Sequence, residues 1–148
     1  MSRHPAVAAS AAATRSGPGR LLIAVYALFA VAATARSAVQ IATRFNEAPL
    51  AYLLSAFAAV VYVVATAGLA RGSRASRRIA TVSCVVELTG VLVVGAISLA
   101  APELFPDATV WSAFGSGYVF IPLVLPVLGL LWLRHTSPGP PGREPEAN

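Results

Sequence analysis

The chain is predicted to be an all-α protein, a four-helix transmembrane bundle flanked by disordered N- and C-terminal tails. Three observations predict this. Hydrophobic residues make up 57% of the 148 and charged residues only 11%, where a water-soluble domain uses roughly 25% charged residues. The apolar residues are gathered into four runs, each long enough to cross a hydrocarbon core about 30 Å thick as a helix. The charges are displaced to the ends and to the linkers between runs.

Residues 1–20, MSRHPAVAASAAATRSGPGR, are small, polar and basic. Such a composition buries too little apolar surface to fold and reads as a disordered tail. The first span covers about 21–43, LLIAVYALFAVAATARSAVQIAT, interrupted only by Arg36 and Gln40. Ala33-Thr34-Ala35 has the form of a signal-peptide cleavage site, and cleavage after Ala35 would leave three spans. The apolar stretch resumes beyond Arg36, however, and its full length matches a span. The second span, about 49–70, starts at Pro49, a residue suited to the first turn of a helix.

The third span, about 79–101, reads IATVSCVVELTGVLVVGAISLAA and contains Glu87. The fourth, about 111–133, contains Pro122 and Pro126, which are expected to kink it. Trp111 and Trp132 close its two ends, where interfacial rings are favoured. The linker before it, APELFPDATVW, reads as a short helix at the interface with Leu104, Phe105 and Trp111 facing lipid. Residues 135–148 are Pro/Gly-rich and form the second disordered tail. Two strings, FNEAPLAYLLSAF and LFPDATVWSAFGSGY, share acid, apolar and Ser-Ala-Phe in the same order. That hints at an internal repeat, though low-complexity strings also match by chance.

The net charge is +5, and all eleven basic residues are Arg. Arg3, Arg15 and Arg20 lie before the first span, and Arg71, Arg74, Arg77 and Arg78 lie between the second and third. The 102–110 linker has Glu103 and Asp107 and no base. The positive-inside bias then places both termini in the cytoplasm of a multi-pass cell-membrane protein. It also accounts for the charge without nucleic acid, whose binding faces interleave aromatics with bases. Membrane lipids, and a membrane-protein partner or a second copy of the chain, are the partners expected.

Glu87 is the one acid within the spans. An ionised carboxylate in hydrocarbon is costly, so this residue should face the bundle interior, have a partner, or be protonated. Counting 1.5 Å per residue puts it about 12 Å into the membrane from Ile79. Tyr62 and the Pro126 region come to a similar depth. Ser83 and Gly90 share its stripe at helical spacing. Pro126 frees the carbonyl of Pro122, and Glu87 or Tyr62 is a candidate donor to it. Arg36, with Gln40 one turn beyond, lies about 10 Å from Glu87 along the membrane normal. A direct pair is strained at that offset, and snorkelling of Arg36 or an indirect link through Tyr or Gln fits better. The candidate intramembrane cluster is thus Glu87, Tyr62, Ser83, Arg36 and Gln40.

Gly90 and Gly95 are five apart and predict only generic close packing. Cys84 stands alone, and His4 and His135 have no ligating neighbours at useful spacing. No nucleophile elbow, zinc-protease helix, phosphate loop or dinucleotide fingerprint is present. No catalytic residue, metal or cofactor is expected.

The strings ATARSAVQIATRFNEAPLAYLLSAFAAVVY, VELTGVLVVGAISL and LFPDATVWSAFGSGYVFIPLVLPVLGLLWLR resemble a family of small four-span integral membrane proteins of actinobacteria without assigned activity. Asn46-Glu47-Ala48-Pro49 and Phe105-Pro106-Asp107-Ala108 resemble its outer-loop signatures. The resemblance covers about residues 21–134 and implies a plasma-membrane protein from a high-GC bacterium. It carries over no catalytic residue. The function expected is therefore a non-enzymatic accessory or partner-binding membrane protein. The alternatives are a small proton-coupled carrier titrating at Glu87, or a lipid or quinone binder between spans two and four.

Overall fold

The structure is a computed structural model and describes residues 17–136; the expected tails before 17 and after 136 lie outside the described residues. The described residues form four α-helices: α1 (Gly17–Arg44), α2 (Pro49–Arg71), α3 (Arg74–Ala100) and α4 (Ile121–His135). Short 3₁₀ turns lie at Phe45–Glu47, Pro102–Leu104 and Ser112–Tyr118. No strand occurs among the described residues. The all-α bundle expected from the sequence is what forms.

Each long helix buries a stripe of small and polar residues. On α1 the stripe runs through Gly19, Leu22, Tyr26, Phe29, Ala33, Ser37 and Gln40, and on α3 through Ser76, Ala80, Ser83, Glu87, Val91 and Val94. Steps of three and four keep one face toward a neighbour along the whole helix. Ala, Ser and Gly on that face let backbones approach, which is how helices pack where burial against lipid supplies no drive. Many of the large apolar side chains point the other way. Leu21, Leu28, Val31, Val60 and Leu99 are each 60% exposed or more. A water-soluble monomer does not carry so wide an apolar coat, and the chain is a multi-pass membrane protein.

α1 packs along α2, α2 along α3, and α3 along α4, while α1 and α4 meet only briefly. The helices overrun their apolar segments on the basic side. α1 starts at Gly17, so the last four residues of the expected tail are helical. α3 starts at Arg74 rather than at 79, because Ser73 caps it: its hydroxyl accepts the Ser76 N–H at 3.1 Å. Gly72, at φ +70°, closes α2 in the left-handed conformation that helix ends favour. Two residues therefore suffice to turn the chain between α2 and α3. Helix α1 also runs unbroken through Ala33–Ala35 and Arg36.

The fourth segment departs from expectation. Three helices are long and apolar enough to cross a membrane; the fourth crossing counts only if Ser112–Tyr118 and α4, bent by 97°, are taken together. α4 has 15 residues, or about 22 Å, short of the roughly 30 Å core. The break precedes the prolines. Ala113, Phe114, Gly115, Val119 and Phe120 all have positive φ, a conformation that costs about 1–2 kcal/mol for each residue bearing a Cβ. Pro122 then lies in the first turn of α4, where its missing N–H removes no helix bond. Pro126 is the one proline inside that helix.

If α3 crosses the bilayer, the α2–α3 and α3–α4 linkers face opposite compartments. Single cysteines replacing the exposed Arg71 and Glu103 should then react with an impermeant thiol reagent from opposite sides of sealed vesicles. Cys84 is buried and adds no accessible thiol. Labelling from one side only would contradict the fold in the membrane.

Candidate functional site

Glu87 is fully buried and faces the bundle. Its donor is a residue the sequence reading passed over. The Tyr26 hydroxyl on α1 donates to Glu87 Oε2 at 2.8 Å and lies 3.3 Å from Cys84 Sγ. A phenol has one hydrogen, so with Tyr26 donating to the carboxyl, the thiol donates to Tyr26. Cys84 and Glu87 are neighbours on α3, one turn apart, and together they hold Tyr26 between them. α4 covers this knot with Gly129, whose added Cβ would stand 2.8 Å from Cys84 Sγ and 3.3 Å from the Tyr26 hydroxyl. Glu87 Oε1 is buried with no partner.

Tyr62 stands beside this cluster, its ring 6.3 Å from that of Tyr26. Its hydroxyl accepts the Trp111 indole N–H at 3.1 Å. Trp111 is therefore not an interfacial ring facing lipid; it is 1% exposed. The ring lies on Gly90, where a Cβ would come within 2.5 Å of it, and Phe114 lies on Gly95 in the same way. The glycines that seemed generic are seats for two aromatics of the returning loop. Hydrogen bonds hold that loop down: Ala113 N–H donates to Ser98 Oγ at 2.8 Å, and Trp111 N–H to Thr109 Oγ1 at 3.0 Å.

The remaining expected members separate. Ser83 is buried but donates back to Ile79 O of its own helix at 2.8 Å. Arg36 does not pair with Glu87. Its guanidinium donates to the Tyr118 hydroxyl and, at 3.5 Å, to Ala108 O. Tyr118 lies edge-on to Phe29, and Phe29 packs on Tyr62. A column of rings thus leads from Arg36 to the Tyr26–Glu87 bond, an indirect connection through aromatics. Gln40 is buried with Oε1 unpartnered, as is the Ser37 hydroxyl. Gln40 borders an outer cavity of about 520 Å³ with Arg36, Arg44 and Asp107. The two strings resembling outer-loop signatures meet here as well. Tyr52 donates to Asp107 Oδ2 at 3.0 Å, and Phe105 packs on Ala48 and Ala51. Their Ser-Ala-Phe elements differ in form, helical at 55–57 and in the left-handed turn at 112–114.

Another feature able to hold a ligand is a groove of about 550 Å³ between α1 and α4, where Leu21, Leu22 and Val25 face Val124, Leu128 and Trp132. It opens where those helices meet least. Between spans two and four, where a tail is also expected to fit, α3 packs against both helices. Among the described residues no group of three or more His, Cys, Asp or Glu could hold a metal ion.

Tyr26 left a sequence signal. It lies about 9 Å along its helix from Arg20, and Glu87 about 13 Å from Arg78, an offset that the length of a tyrosine covers. Trp111 and Tyr118 left none, because the fold-back that brings them inward depends on left-handed residues with ordinary side chains.

Replacing Tyr26 with Phe should lower stability in detergent by about 1–2 kcal/mol, the range for a buried interhelical bond. The same change in a Glu87→Leu background should cost much less. Equal losses in both backgrounds, read by thermal unfolding, would show that the phenol is not bonded to the carboxyl. Gly90→Ala should cost about 1–3 kcal/mol by overpacking against Trp111. It should also shift Trp111 emission, measured with Trp132 replaced by Phe. No protein-family model matches the chain, and no curated protein or solved structure is significantly similar to it.

Proposed function

We propose that this is a non-enzymatic accessory protein of the cell membrane that binds an apolar chain, such as a lipid or isoprenoid tail, between α1 and α4. The groove carries this reading. Its volume lies in the range of pockets that hold small ligands, and apolar side chains make up nearly its whole lining. Arg71, Arg74, Arg77, Arg78 and Arg134 share the end of the bundle opposite Glu103 and Asp107, which supports a cytoplasmic position for both termini.

The polar knot of Tyr26, Cys84 and Glu87 supports this role as a fastener. It ties α1 to α3 while leaving α4 held mainly by α3, so the α1–α4 seam is the one free to admit a tail. The carrier reading draws on a single observation, the unpartnered Oε1 of Glu87. It requires a path for a cation or proton to a side chain with no exposed surface.

A photoreactive fatty-acyl or isoprenoid probe in vesicles should label peptides around Leu21–Val25 and Val124–Leu131. Leu128→Trp fills the groove from its lipid-facing side and should cut labelling about fivefold, on the scale of ~1 kcal/mol. Labelling spread evenly over all four helices would argue against the groove. Glu87→Gln should leave labelling intact. If it instead abolishes a pH-dependent uptake while the protein remains abundant, the carrier reading replaces this one.

A further inference from the structure

A second crevice lies between the start of α3 and the end of α4, on the far side of α4 from the groove. It holds about 420 Å³ and is lined by Arg77, Arg78, Thr81, Leu130, Leu133 and Arg134. Three arginines line it and no acid does. Like charges brought together at the edge of a low-dielectric core repel one another unless an anion joins them.

The crevice is built rather than incidental. The Arg77 guanidinium donates to Leu133 O at 2.6 Å and to Thr136 Oγ1 at 2.9 Å. Thr136 in turn donates to Trp132 O at 2.8 Å. These bonds pin the last turn of α4 to the first turns of α3 and so fix where Arg134 leaves its helix. Arg78 follows Arg77 on α3, and Thr81 donates to Arg77 O at 2.9 Å. Below the charges, Leu130 and Leu133 continue the wall into the depth of the bilayer.

We infer that this crevice binds the phosphate of an anionic membrane lipid, with Arg78 and Arg134 as its main contacts and Arg77 as the residue that positions them. Planar guanidiniums match phosphate oxygens with paired N–H donors. Basic pockets between spans at the membrane surface suit such headgroups. Both helix ends are the basic ends of their apolar segments, where headgroups are expected, and the leucine floor offers a place for the first methylenes of a tail. A soluble phosphate has no use for that floor, which is why a lipid is the occupant. The inference does not depend on the α1–α4 groove.

The test is lipid retention by the full chain purified from nanodiscs of equimolar phosphatidylglycerol and phosphatidylcholine, read by native mass spectrometry. Wild type should retain phosphatidylglycerol preferentially. The Arg78→Gln/Arg134→Gln variant should lose that preference by at least about tenfold, the factor that one of its two lost charge-assisted contacts would give. The control is Arg71→Gln/Arg74→Gln, which removes the same charge from the same end of the bundle but outside the crevice, and it should retain lipid as wild type does. Unfolding temperature in phosphatidylcholine alone should be the same for all three proteins. Equal losses in both variants would overturn the inference in favour of general surface charge. So would the absence of any preference in wild type, or displacement of the lipid by millimolar inorganic phosphate.

Discussion

A carboxyl group inside hydrocarbon must find its hydrogen-bond donors on neighbouring helices, and this requirement organises the bundle around Glu87. Water offers an exposed acid any number of partners; a bilayer offers none, so an unmet oxygen costs several kcal/mol. Tyr26 meets the requirement of Oε2 from α1 while Oε1 stays without a partner, and the tyrosine's length sets how far apart α1 and α3 stand at that level. Cys84 completes the phenol's bonding from the same face of α3. Gly129 is the consequence on α4: any side chain there would displace the sulfur. One buried acid thus constrains Tyr26 on α1 and Cys84 on its own helix, and through them Gly129 on α4.

The same economy explains the returning loop. A 15-residue helix leaves the outer part of its crossing unfilled, and irregular backbone is tolerated at membrane depth only when protein covers it. Ser112–Tyr118 turns inward instead of continuing α4, and its aromatics descend onto Gly90 and Gly95. Trp111 brings an N–H with it, and Tyr62 supplies the acceptor. The left-handed residues of the turn are costly one by one. They persist because Trp111 and Phe114 bury large rings and because Ser98, Thr109 and Ser112 satisfy the backbone of the turn.

Much of this was legible in the sequence, and the limits have physical reasons. Helix number, the polar face of α3 and the burial of Glu87 follow from composition and periodicity, because the bilayer imposes length and face on every span. Tyr62 was placed in the right layer by counting residues. Counting gives depth but not rotation about a helix axis, so it could not say that Tyr26, rather than Tyr62, meets Glu87. Nor could it see the fold-back. Ala113, Phe114, Val119 and Phe120 are not residues that mark left-handed turns, and the apolar run 111–133 reads as one span kinked at its prolines. The prolines drew attention because they break helices in general; here Pro122 begins one.

Arg36 shows how the two layers of the bundle differ. It lies in the C-terminal third of α1, where an arginine can reach toward an interface, yet its guanidinium turns to Tyr118 and Ala108 of the returning loop. Those contacts make it a clasp on the loop rather than a counter-ion for Glu87. The aromatic column between them transmits packing, since Phe29 interrupts any relay of hydrogen bonds from Tyr118 to Tyr26. Movement of the loop would therefore reach Glu87 as a shift of rings. In this bundle the acid at depth and the arginine at the rim secure opposite ends of one core. The α1–α4 seam, which neither of them ties, remains the face with most freedom to bind.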